Sequence, residues 1–227
     1  MKFNKVLATG ALVATLATSF VGVNTAEASH KMDAVGNRYE LAVDFMAGKG
    51  YQGNSAIEFG VADKVTRLDA AEMLAKALDL NLNAPDTGFT DVPADKAPYV
   101  NALYEAGITK GKTATTFGSD EILTRGQIAI WLTEGFDLEG DAVVPFTDVS
   151  SRYYDSVSAM VDHSITNGTT KTTYGTWDET KRGDFAIFIH RADQAQPEEL
   201  EDDFFHSDVH YGTTMEDGTI IGPGPIL

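Results

Sequence analysis

Apolar positions recur along this chain at helical spacing, in three pairs of segments. In the middle pair Val100, Leu103 and Tyr104 share one face, and Ile128, Leu132 and Phe136 share another. In the last pair the faces are Val157, Met160 and Val161, then Phe185, Phe188, Ile189 and Ala192. In the first they are Leu41, Ala42 and Phe45, then Ala70, Ala71, Leu74, Ala77 and Leu78. Each pair predicts two amphipathic helices. Gly/Thr/Lys-rich loops follow the first helix of each pair, at 49–53, 106–111 and 163–168, and such residues suit left-handed turns.

The landmarks between the helices repeat as well. FTDV stands at 89–92 and 146–149, and AGITKG at 106–111 is echoed by HSITNG at 163–168. An aromatic follows each loop, at Phe59, Phe117 and Tyr174. An arginine then opens the second helix of each pair, at 67, 125 and 182. Thr66 with Asp69, and Thr124 with Gln127, predict N-caps answered three residues later by an acid or an amide. A two-helix unit cannot bury both faces alone, so the three must pack on one another. Three like units favour a closed pseudo-threefold cluster with the second helices at its centre.

Charge sharpens the question. The chain has 227 residues and a formal net charge of -17, which argues against nucleic acid and against an anionic membrane surface. Three helix-start arginines in so acidic a protein predict local anion sites. A guanidinium can grip a carboxylate with two parallel hydrogen bonds, and a helix N-terminus adds unsatisfied N–H groups. The alternative is that each arginine pairs with a nearby Asp or Glu and only orders the helix start.

The ends of the chain read differently. Lys2 and Lys5, the apolar run from Val6 to Val23, and the small residues of AEA predict a secretory signal peptide over 1–28. Residues 195–227 hold acidic residues but no Lys or Arg, and predict a flexible acidic tail. His206 and His210, with Asp202, Asp203 and Asp208, have the spacing of a metal site, but the tail's composition favours a solvated stretch. With no cysteine, disulfides, thiolate metal sites and cysteine catalysis are excluded. No catalytic motif is present. No cofactor or metal is expected, and no enzyme activity. The adhesion-like tripeptide Arg182-Gly183-Asp184 falls at a helix start rather than on an exposed loop.

The series F-x-D-V, aromatic-led helix, G-I-x-x-G, aromatic and T-R-x-[EQ] before an apolar helix resembles the S-layer homology (SLH) motif. The best preserved copy is FTDVPADKAPYVNALYEAGITKGKTATTFGSDEILTRGQIAIWL. Three tandem copies are implied, at 29–85, 86–142 and 143–194. The resemblance implies a mainly α fold, three two-helix repeats in a three-pronged cluster, monomeric in chain and trimeric in plan. It also implies a secreted protein of the cell wall or S-layer. Such a protein binds pyruvylated secondary cell-wall polysaccharide, attached to peptidoglycan, in grooves between repeats.

Carried over by motif, the arginine that meets the anionic ketal becomes Arg67, Arg125 and Arg182, beside Thr66 and Thr124. The aromatic near the first helix becomes Tyr99 and Tyr153, with Tyr39 in the first copy. The F-x-D-V aspartate becomes Asp91 and Asp148, with Asp33 in the first copy. The first copy lacks FTDV, Lys181 stands where the capping threonine would be, and Gly126 and Gly183 replace a small alanine. Two other functions compete, an S-layer structural subunit and a small wall hydrolase. The first needs a long assembly region, and the second needs sequence beyond the repeats.

Overall fold

The computed structural model describes residues 31–196. The expected signal peptide and nearly all of the acidic tail, including His206 and His210, lie outside the described residues. Within them the chain is mainly helical. It runs through α1 (Glu40–Gly48), α2 (Arg67–Ala77), α3 (Ala97–Glu105), α4 (Arg125–Phe136), α5 (Ser151–Asp162) and α6 (Arg182–Gln194). None of these helices is long and apolar enough to cross a membrane.

The partners in the packing come from neighbouring units. Helix α3 lies on α2, α5 on α4, and α1 on α6, while α6 also touches α2 and α4. The first helix of each unit thus covers the second helix of the unit before it, and α1 closes the circuit against α6. Polypeptide that is distant in sequence seals the cluster, so no unit can keep its core without the others.

A ring of backbone hydrogen bonds sits at the centre. The Val65 N–H donates to Thr180 O (2.9 Å), the Thr180 N–H to Leu123 O (3.0 Å), and the Leu123 N–H to Val65 O (3.1 Å). Each extended segment leading into α2, α4 or α6 donates to one neighbour and accepts from the other. All three residues are buried, so these bonds satisfy groups that water cannot reach. This closed ring is compatible with the expected threefold plan.

Three aspartates tie each unit's opening to its aromatic turn. Asp91 accepts from the N–H groups of Phe117, Gly118 and Ser119 at 2.7, 2.7 and 3.1 Å. Asp148 accepts from Tyr174, Gly175 and Thr176 at 2.7, 2.8 and 3.0 Å. Asp33 accepts from Phe59, Gly60 and Val61, each at 2.8 Å. Desolvation alone would raise these carboxyl pKa values, but the three amide donors outweigh it and hold each one below the usual range. Two residues before Asp33 stands Lys31, where the other units have Phe89 and Phe146. Its buried ammonium group donates to the carbonyls of Gln52, Ser55 and Ala56 at 2.6, 2.6 and 3.1 Å. A cation bound to a loop there replaces an aromatic ring packed on one.

Several apolar faces differ from the periodic expectation. In α1 the buried face is Ala42, Val43 and Met46; Leu41 is exposed and Phe45 only partly covered. Tyr104 is likewise exposed, edge-on to Phe89. Short helices offer few turns for averaging, and each first helix packs mainly on one neighbour, so the covered stripe is narrow. The second helices match expectation, with Ile128, Leu132, Phe136, Phe185, Phe188, Ile189 and Ala192 all buried.

Candidate functional site

Helices α2, α4 and α6 begin at the interfaces between units, and their first residues are Arg67, Arg125 and Arg182. Thr66 caps α2 by accepting from the Asp69 N–H (3.1 Å). Thr124 caps α4 within a complete capping box, since Gln127 Oε1 accepts from the Thr124 N–H at 2.9 Å. Lys181 gives α6 no side-chain cap. The hydroxyl oxygens of Thr66 and Thr124 therefore serve their own helices, and they set the direction in which each arginine leaves the backbone.

The expected supply of free helix-start amides is not there. The Arg67 and Leu68 N–H groups donate to Glu121 O (2.8 Å) and Ser119 O (3.2 Å). Those of Arg125 and Gly126 donate to Asp178 O (3.0 Å) and Thr176 O (2.9 Å), and those of Arg182 and Gly183 to Asp63 O (2.8 Å) and Val61 O (3.2 Å). Docking of the next unit uses up the donors that an isolated helix would offer. What remains for a ligand is the guanidinium.

Two of the three guanidinium groups are mounted alike. Arg67 lies with its Cζ 4.8 Å from the Phe117 centroid and 4.8 Å from that of Trp131. Its Nε donates to Phe117 O (3.0 Å) and an Nη to the Thr109 hydroxyl (3.3 Å). Arg125 lies 4.8 Å from the Tyr174 ring and 5.1 Å from Phe188, with its Nε bonded to Tyr174 O (2.9 Å). Among the described residues neither has a carboxylate within ion-pair distance. Arg67 is only 7% exposed, and burial holds its pKa below the ordinary value, an effect that Glu121 and Asp91 only partly offset. It is a cation held largely out of water by aromatic faces and single hydrogen bonds, with charge to spare.

Arg182 is mounted differently. Its guanidinium bonds to Asn54 Oδ1 (2.9 Å), Phe59 O (3.0 Å), Asp63 Oδ2 (3.2 Å) and Asp69 Oδ2 (2.9 Å). Burial would lower its pKa, but Tyr51, Asp69 and Asp63 together raise it. The Asp69 carboxylate, expected to answer the Thr66 cap, is turned onto Arg182 instead. Met73 stands at the position of Trp131 and Phe188, so Arg182 lacks the second ring of that clamp. The tripeptide 182–184 is embedded here, with the Asp184 carboxylate bonded to Arg38 and to the Tyr39 hydroxyl.

Open grooves accompany the first two arginines. One, of about 480 Å³, joins Arg67 to the 107–111 loop, α4 and Arg152. The other, of about 670 Å³, joins Arg125 to the 166–169 loop, α6 and α1. Three cations and one carboxylate line each: Arg67, Lys110 and Arg152 with Glu134, and Arg38, Arg125 and Arg191 with Asp184. These are local reversals of sign on an acidic protein.

The other expected residues are scattered around these grooves. Both carboxylate oxygens of Asp91 and of Asp148 are taken by backbone donors. Tyr153 is buried, its ring 3.1 Å from where a Cβ on Gly126 would sit, and Tyr39 lies 2.8 Å from the corresponding point on Gly183. The glycines therefore make room for tyrosine rings, a reason invisible in helix propensity. Tyr99 does not occupy the equivalent place, which is held by Lys96; it lies beside Lys76, with the ammonium 5.3 Å from its ring. The aromatic partners Trp131 and Phe188, and the second cations Arg38 and Arg152, escaped the sequence reading because each comes from a unit other than its arginine's.

Comparison with known proteins agrees with this architecture. The chain is 30% identical over 202 residues to a surface-layer 125 kDa protein of Lysinibacillus sphaericus, covering 84% of this chain and 17% of that protein. It is 35% identical over 107 residues to an endoglucanase of Bacillus sp. (strain KSM-635), covering 47% of this chain and 11% of the enzyme. It is 27% identical over 170 residues to an uncharacterized cell wall amidase of Bacillus anthracis, covering 72% of this chain and 32% of that protein. The chain thus spans a third or less of each of these relatives. A sequence model of the S-layer homology domain matches residues 88–129 and 145–186, the stretches that contain Arg125 and Arg182. The chain carries the S-layer homology domain in two copies, and its place is the cell surface and wall.

Proposed function

We propose that this protein anchors non-covalently to the cell wall by holding anionic, pyruvylated secondary cell-wall polysaccharide in the grooves of Arg67 and Arg125. The observation that carries this reading is the contrast among the three arginines. Two are clamped by aromatic rings beside open, cation-lined grooves and, among the described residues, have no carboxylate within ion-pair distance. The third is neutralised by Asp63 and Asp69. A ketal carboxylate entering either groove gives a fixed guanidinium a counter-ion, and the pair strengthens because the site is partly desolvated.

Residues 31–77 act as a third, diverged copy of the motif. Asp33 binds three backbone amides as Asp91 and Asp148 do, and Val65 takes its place in the central ring. In this reading Arg182 is a bond between the first and last copies rather than a ligand group. Thr66, Thr124, Asp91, Asp148 and Tyr153 build the grooves and touch no sugar. In this reading the described residues act as a binding module, and the chain matches 11% of the endoglucanase and 32% of the amidase.

The test is co-sedimentation of the full chain with purified cell walls, before and after extraction of the polysaccharide. Binding should vanish on extraction, and an Arg67→Ala/Arg125→Ala double variant should fail to sediment with intact walls. Equal binding to bare peptidoglycan would overturn the reading.

A further inference from the structure

Trp177 is 67% exposed, in a turn where the other two copies have Asp120 and Ala62. Its ring is nonetheless fixed. It meets the Tyr153 ring edge-on, with centroids 5.6 Å apart and planes at 85°, and Tyr153 is buried. The backbone beneath is fixed too. Asp178 N–H closes the turn onto Gly175 O (3.0 Å), and Thr176 O and Asp178 O accept from the first amides of α4. A face so held loses little freedom when something covers it.

Trp177 is not itself among the residues lining the Arg67 groove, but its contacts are chain neighbours of two that are. Arg152, which lines that groove, precedes Tyr153, and Gln127, which also lines it, follows the Gly126 whose N–H bonds to Thr176 O at 2.9 Å. Arg152 has no carboxylate within ion-pair distance among the described residues. Exposed Asp178 and Glu179 follow the tryptophan directly, so its surroundings suit neither a lipid nor an extended apolar protein face. They suit a sugar ring, which has an apolar C–H face to lay on an indole and a rim of hydroxyls for charged neighbours.

We propose that the Arg67 groove extends past Arg152 onto Trp177, and that Trp177 is the stacking platform for the sugar next to the anionic unit held at Arg67. The inference rests on the polysaccharide reading above. It gives that groove a longer footprint than the Arg125 groove and a preference for oligosaccharides over a single ketal-bearing sugar.

Two probes separate the parts: a methyl glycoside of a pyruvylated monosaccharide, and soluble polysaccharide released from purified walls. Both are titrated by calorimetry against the full chain carrying Arg125→Ala, which leaves one groove, and against the same chain with Trp177→Ala added. The tryptophan supports no buried core, so matching melting temperatures will show that both fold. The expected result is a roughly five- to tenfold loss of polysaccharide affinity with Trp177→Ala. Affinity for the monosaccharide should stay unchanged. Trp177→Phe should recover most of the loss, because a flat ring is retained. Equal polysaccharide affinity with and without the indole overturns the platform while leaving the Arg67 site intact. Absence of binding by either probe, before Trp177 is altered, overturns the polysaccharide reading itself and the platform with it.

Discussion

Arg182→Ala should unfold the protein at a distinctly lower temperature, although Arg67→Met should hardly matter. Arg182 is 7% exposed and joins the 54–63 loop to α2 through two carboxylates, an amide oxygen and a backbone carbonyl. Removing one partner of a buried ion pair costs about 3–5 kcal/mol, because the remaining charges lose their compensation. Asp63 and Asp69 keep 52% and 29% of their side-chain surface in solvent, which softens that penalty. A loss of about 2–3 kcal/mol is the fair expectation. At about 2–4 °C per kcal/mol for a domain of this size, Tm should fall by about 4–12 °C. Calorimetry at pH 7 on the full chain is the assay. Asp63→Asn/Asp69→Asn should recover part of the loss in the Arg182→Ala background, since it removes the stranded carboxylates. A fall under about 2 °C, or no recovery with the asparagines, would show that Arg182 does not hold the first and last units together.

Arg67→Met should leave Tm within about 2 °C, because a desolvated cation with no ion-pair partner among the described residues is replaced by an apolar chain that fits between Phe117 and Trp131. The same variant should lose about 30-fold or more in affinity for soluble wall polysaccharide at the Arg67 groove, read by titration with the Arg125 groove disabled. Acid should weaken the fold through Asp33, Asp91 and Asp148. Their folded pKa values lie below the unfolded value of about 3.9, so their contribution is complete above that pH and is lost as pH falls through the folded values. Circular dichroism melts from pH 6 to pH 2 should show the decline, and Asp91→Asn should be less stable at pH 6 with a shallower acid dependence. Gly183→Ala should cost about 1–3 kcal/mol by pressing a methyl onto Tyr39 and Val61, seen as a lower urea midpoint. Gly48→Ala, where a Cβ meets nothing within 4 Å, should be close to neutral.

By itself the sequence determined the units and what repeats within them. Helical periodicity exposed the second helices, because each is covered from more than one side and its apolar stripe is broad. The two helix caps were legible for the same local reason, since Thr66 and Thr124 act on amides three residues away. FTDV located Asp91 and Asp148, the helix-start arginines recurred at nearly even spacing, and that spacing made a closed cluster the natural packing. Tertiary structure decided everything that depends on which unit meets which. It set Asp69 on Arg182, 113 positions away, and thereby turned one of three like arginines into a bond. It brought Trp131 and Phe188 onto Arg67 and Arg125, and it consumed the helix-start amides that an isolated helix would have offered to an anion. It buried Tyr153, one of the aromatics that motif matching selects, and left Trp177 exposed beside it. Local signals act through neighbours along the chain. A groove between repeats is built from side chains whose sequence separation is fixed only when the ring closes.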